Sequence, residues 1–245
     1  MSCRILGTLS KEEPEFILGL NALEQKRKSI WKINQILNIN SKYSAFMNKI
    51  IVFIVLNFIW VLSCIPIITA GAGTTAIYYC LMKYRLQGSL DLIKDFTDSF
   101  KRNFKQSTIA WFLYLLMGIV LSLDYYVLFK TNFTYKFIFL ILTSFVALTY
   151  LLSLIYFFPL LARFDNSNLN LVKFSIILGY KHIGKSVLLI GILAFEILLN
   201  SLSAKLIPLW VIAGYTLVAY LNVMIYLSIF KHYEGENSIG IDIVN

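Results

Sequence analysis

Four apolar runs of about membrane length, Ile50 to Ala70, Thr108 to Phe129, Phe137 to Ala162 and Ser186 to Leu206, dominate this chain of 245 residues, and a fifth, Pro208 to Phe230, follows the fourth almost directly. A bilayer hydrocarbon core of roughly 30 Å takes about twenty residues of helix. Within hydrocarbon only a helix or a closed barrel satisfies its own backbone hydrogen bonds. With 58% of residues hydrophobic and 14% charged, there is too little polar surface to wrap so much apolar surface in water. The pattern predicts an all-α, polytopic transmembrane helical bundle with five clear spans. Lipid is the first partner expected.

A sixth segment, Thr74 to Leu86, is apolar but only about 20 Å long as a helix, and is expected to be short, tilted or re-entrant. The basic residues decide how it is counted. With six crossings, eight Lys and Arg precede the first run, six lie in 83–105, four in 163–185, and Lys231 follows the last run. These nineteen share one side, against Lys130, Lys136 and Lys205 on the other. Five crossings would strand a large basic cluster outside. The positive-inside rule therefore predicts six crossings and both termini in the cytoplasm. The net charge of +9 is spread between apolar runs rather than along one stripe, so it reads as topology and not as a nucleic-acid surface.

Two kinds of local device stand out. Pro66 removes a backbone donor inside the first run, and Gly71 and Gly73 follow it, which predicts a helix break and a tight outer turn. A broken helix lining a transport path is the functional alternative. Between Thr74 to Leu86 and the run Thr108 to Phe129, Leu92, Ile93, Phe96, Phe100 and Phe104 recur at helical spacing among charged residues, with Ser89 placed to cap. That predicts an amphipathic helix on the inner membrane face, and Leu171 to Lys181 is a second such element. Either could dock a cytoplasmic partner instead.

Catalytic chemistry finds little to work with. His182 and His232 are far apart in sequence, Cys3, Cys64 and Cys80 have no CxxC spacing, and GxSxG and GxxxxGK[ST] do not occur. No catalytic, metal or cofactor residues are assigned, and no enzyme is expected. Trp60, Trp111, Tyr125, Tyr126 and Trp210 lie toward run ends, as interfacial belts do, although aromatic rings can also stack on sugars. Arg163, at the inner end of the third span, is a candidate anchor that can reach lipid phosphates or pair with Asp165. Asn57, Glu196 and Asn222 fall at similar depths near the middle of their spans and form a candidate intramembrane polar cluster, with Glu196 expected to face the bundle and bond to an amide.

Three stretches carry a resemblance: Leu56 to Leu62 running into Ile65 to Gly71; Asp95-Phe96 with Phe100 and Asn103 to Gln106; and Phe158 to Phe164. Together they resemble the YesL-like family of small bacterial integral membrane proteins, over Asn38 to Glu234. The resemblance implies the cytoplasmic membrane, mostly of Gram-positive bacteria, and genetic company with carbohydrate uptake, but no established molecular function. The expected organisation is a cytoplasmic N-terminal extension (1–46), a transmembrane domain (47–234) and a cytoplasmic tail (235–245). The extension has no secretory signal pattern. The expected function is a non-enzymatic accessory or regulator of carbohydrate uptake, partnered by permease or sensor subunits. The alternative is a small transporter or channel acting as a homo-oligomer.

Overall fold

The computed structural model describes residues 46–131, 134–202, 214–234 and 242–243. Contacts divide the chain into two units, Met1–Ile51 and Val52–Asn245, and the packing below belongs to the second. The described residues are almost wholly helical. In chain order they are α1 (Phe46–Cys64), α2 (Ala70–Gln87), α3 (Leu92–Lys130), α4 (Lys136–Arg163), α5 (Asn168–Lys181), α6 (Ile183–Leu202) and α7 (Tyr215–Glu234). One two-residue ladder is present, Phe164–Asp165 (β1) antiparallel to Asp242–Ile243 (β2).

Helix α1 stops where the residue before Pro66 is pushed out of the helical region. A 3-10 turn over Ile67–Thr69 follows, and the Thr69 hydroxyl answers the break by bonding to the Ser63 carbonyl (2.5 Å) and the Pro66 carbonyl (2.8 Å). The expected glycine turn is absent. Gly71 and Gly73 lie in the first turns of α2, and the one described glycine with positive φ is Gly88 (73°), which caps the end of α2 in the left-handed conformation. What the two glycines supply is clearance. A Cβ on Gly71 would stand 2.7 Å from Trp111 Cβ and 2.8 Å from the Ser107 carbonyl oxygen, and one on Gly73 would run into the Ser63 hydroxyl.

Helix α2 has 18 residues, about 27 Å, and is longer than the thirteen-residue segment read from the sequence. It is also the centre of the bundle, with Ala72, Ala76, Ile77, Cys80 and Leu81 at 0% exposure, and it packs on α3, α4 and α7.

The separate amphipathic helix and second span are one helix. α3 runs unbroken for 39 residues, about 58 Å, nearly twice a bilayer core. Its start is not capped by Ser89. The Asp95 carboxylate accepts the Asp91 N–H (3.0 Å) and a hydrogen bond from Lys83 Nζ (2.7 Å). The face of α3 that the apolar spacing assigned to lipid is only partly inward: Phe96 is buried, but Ile93 is 73% exposed. The stripe Asp95, Ser99, Asn103 and Ser107 is buried instead, because α2 comes close enough for small polar residues to fill the seam. Gly71 against Ser107 and Trp111, and Lys83 against Asp95, set the two helices antiparallel. Helix α2 thus lies along the polar third of α3, while α4 faces the apolar remainder.

Three helices, α1, α3 and α4, are long and apolar enough to cross a membrane. The five clear spans are not reproduced. The described part of the fourth run lies within α6, and just before it α5 and Ile183–Leu198 meet at 100°, the geometry of a broken span or a re-entrant loop. The fifth run is described only from 214 onward, where it forms the apolar helix Tyr215–Lys231. The side chains on the outer faces of α3 and α4, such as Phe112, Leu116, Phe137 and Leu142, are more than half exposed, a continuous apolar surface suited to lipid.

Candidate intramembrane polar site

Asn57, on α1, is completely buried, and its Oδ1 accepts two hydrogen bonds from Thr216 at the start of α7, from the backbone N–H and from the hydroxyl, both at 3.1 Å. Immediately beside this clamp Trp60 stacks flat on Tyr215, with ring centroids 3.7 Å apart and planes 6° from parallel. Its indole N–H points at the Thr74 hydroxyl of α2 at 3.5 Å. One turn further along α2, buried Tyr78 lies within hydrogen-bonding reach of Tyr215, Asn222 and Tyr226. The Asn222 Oδ1 is itself buried without a hydrogen-bond partner. Glu196, half-buried on α6, is within electrostatic reach of both Tyr78 and Tyr215.

The structure therefore brings Asn222 and Glu196 to the same tyrosine, Tyr78, with Glu196 also near Tyr215, and Asn57 bonds to Thr216, the neighbour of Tyr215. The tyrosines and Thr216 are the members sequence reading missed. Nothing local in the sequence ties Asn57 to a residue 159 positions away. One signal could have found Tyr226. Pro159 inside α4 removes the N–H that would bond to the Ile155 carbonyl, and such a carbonyl needs a donor from elsewhere. Tyr226 supplies it, its hydroxyl donating to the Ile155 oxygen at 3.0 Å.

The same arrangement continues across the bundle. Tyr156 and Ser186 share a hydrogen bond (3.0 Å), as do Tyr114 and Ser153 (2.6 Å) and Ser153 and Ser175 (3.0 Å), all buried. Arg163 closes α4, half-buried, and leads into β1, whose Asp165 is exposed. Among the described residues no group of three or more His, Cys, Asp or Glu could hold a metal ion. His182 Nε2 stands 3.2 Å from the Tyr233 hydroxyl.

Residues 53–125 match the family model described as "Protein of unknown function, DUF624". The matched stretch runs from α1 through most of α3. It thus contains Asn57, the Pro66 break, both clearance glycines, Tyr78 and the Lys83–Asp95 ion pair, while Glu196, Thr216 and Asn222 lie beyond it. No curated protein matches the chain, and no solved structure does. With its apolar helices, the DUF624 match suits a membrane protein of unestablished molecular function.

Proposed function

We propose that the chain is a YesL-like integral protein of a bacterial cytoplasmic membrane, working without catalysis as an accessory or regulatory component of a carbohydrate uptake or sensing system. The observation that carries this reading is how the polar side chains inside the bundle are used. Asn57 on Thr216, Tyr114 on Ser153 and Ser175, Tyr156 on Ser186 and Tyr226 on Ile155 are bonded helix to helix. Polar groups satisfied in this way fix a scaffold and leave little with which to bind a hydrated solute. In this reading residues 1–46 and 235–245 are cytoplasmic and 47–234 form the membrane domain. The partners are permease or sensor subunits of the uptake system.

The topology we favour keeps the basic segments on one side without a full second crossing. Trp111 Nε1 donates to the Ile67 carbonyl at 2.9 Å, so the tip between α1 and α2 lies level with Trp111, only about 9 Å of helix beyond Lys105. An α1–α2 hairpin that enters and leaves by the inner face has the same sidedness as two crossings, and satisfies the charge rule equally well.

Purification from the native host in mild detergent tests the function. Permease or sensor subunits at stoichiometric amounts are the expected result. A lone homo-oligomer that moves labelled sugar into liposomes would instead establish the alternative, a small transporter or channel. That alternative is favoured by one feature, the unpartnered Asn222 Oδ1 in a cluster that also holds Glu196. Glu196→Gln separates the two, since it keeps shape and hydrogen bonding while removing the titrating group. An accessory retains its partners unchanged across pH, whereas a carrier coupled to protons loses its pH-dependent transport.

A further inference from the structure

Helices α3, α4 and α5 enclose a groove of about 470 Å³ on the outer surface of the bundle, lined among others by Ala110, Met117, Val146, Tyr150, Val172 and Ile176. Its wall hydroxyls are turned away from it in bonding terms. Tyr114 and Ser153 are engaged with each other and with Ser175, and the Tyr150 hydroxyl donates to the Tyr114 carbonyl at 3.0 Å. What remains facing the groove is hydrocarbon. Its mouth is rimmed by Leu113, Phe145 and Leu169, 56%, 59% and 76% exposed, so it opens directly onto the apolar surface of α3 and α4.

One end differs. There Asn168, the first residue of α5, lines the groove; its Oδ1 is buried and has no hydrogen-bond partner, while its Nδ2 donates to the Gln106 carbonyl at 3.3 Å. Gln106 is fixed in turn by donating to the Asn166 carbonyl at 2.5 Å. The orphan acceptor thus sits at the junction between the apolar part of α3 and its basic third, where headgroups meet the chain if α3 and α4 are embedded. That condition is the membrane reading given above.

We infer that the groove holds one membrane phospholipid, an acyl chain lying between α3, α4 and α5 and a headgroup donor bonding to Asn168 Oδ1. Its volume favours this occupant over a helix of a partner or of a second copy. A helix is roughly 10 Å across, and about one turn would fill the space. An acyl chain is slender enough to follow the groove along its length. The orphan acceptor selects headgroups with N–H or O–H, as in phosphatidylethanolamine and phosphatidylglycerol, over phosphatidylcholine, which has neither.

The test is native mass spectrometry of the full chain, delipidated in detergent and offered the three phospholipids with identical acyl chains. One retained lipid per chain is expected, with phosphatidylglycerol and phosphatidylethanolamine preferred about fivefold over phosphatidylcholine, the effect of one hydrogen bond. Asn168→Leu should abolish that preference, and Asn168→Asp should keep it for phosphatidylethanolamine, whose ammonium donates to a carboxylate, while losing it for anionic phosphatidylglycerol. Met117→Trp with Val172→Trp, which fill the groove with apolar bulk, should remove the retained lipid. Equal retention of all three headgroups overturns the inference, as does retention untouched by the filled groove. A lipid-free dimer that the filled groove converts to monomer also overturns it, in favour of a second copy. If the chain is recovered in the soluble fraction without detergent, the membrane reading itself fails, which is a separate result.

Discussion

At the scale of single residues, the stability of this bundle turns on backbone groups that prolines and glycines leave exposed. Tyr226 is the sharpest case. Pro159 lacks the N–H that would ordinarily bond to the Ile155 carbonyl, so Tyr226→Phe removes the donor that this half-buried acceptor has in its place. The expected loss is about 1–2 kcal/mol, read as a lower midpoint of thermal unfolding in detergent. Tyr114→Phe is the control. Its hydroxyl bonds to Ser153, which keeps Ser175 as a partner, so the cost should be nearer the roughly 0.6 kcal/mol average for bonds between membrane helices. Gly71→Ala sets two effects against each other. Alanine favours a helix by up to about 1 kcal/mol, but its methyl would stand 2.7 Å from Trp111 Cβ and 2.8 Å from a backbone oxygen, neither able to swing aside. Overpacking wins, and a net loss of about 1–2 kcal/mol is expected by the same measurement.

At the scale of elements, the sequence announced some helices plainly and misled about others. The apolar cores of α1, α3 and α4 were legible because lipid demands unbroken hydrophobic runs, and that demand needs no knowledge of neighbours. The stripe Asp95, Ser99, Asn103 and Ser107 was not legible. At helical spacing it looks like a solvated face, and only the presence of α2, with Lys83 opposite Asp95, turns it into a buried seam. Gly71 and Gly73 after a proline resemble a turn for the same reason, since the need for clearance appears only once Trp111 and Ser63 are in place. In the polar cluster the three chosen residues were recognisable by depth, but their tyrosine and threonine partners were not, because hydroxyls on apolar helices carry no positional signal. The α1–α2 hairpin gives a prediction at this scale. Ile67 is 70% exposed at its tip. In a variant lacking the native cysteines, Ile67→Cys should resist a membrane-impermeant maleimide added to intact cells, if the hairpin enters and leaves by the inner face. Full labelling would restore a complete crossing.

At the scale of the molecule, charge and packing point the same way. The α3–α4 hairpin is held in register from Trp111 against Phe158 to the bond between Tyr125 and Ser144, and Gln106 is tied to Asn166 and Asn168. Lys94, Lys101, Arg102, Lys105 and Arg163 therefore gather toward one end of the hairpin, and Lys130 and Lys136 toward the other. The central claim is that this hairpin spans the membrane with its crowded basic end inward. Ser89 and Thr134 are exposed near its opposite ends and accept cysteine with little change. In intact cells of a variant lacking the native cysteines, an impermeant maleimide should label Thr134→Cys and should reach Ser89→Cys only after permeabilisation. Labelling of Ser89→Cys alone, or of both before permeabilisation, would contradict the account.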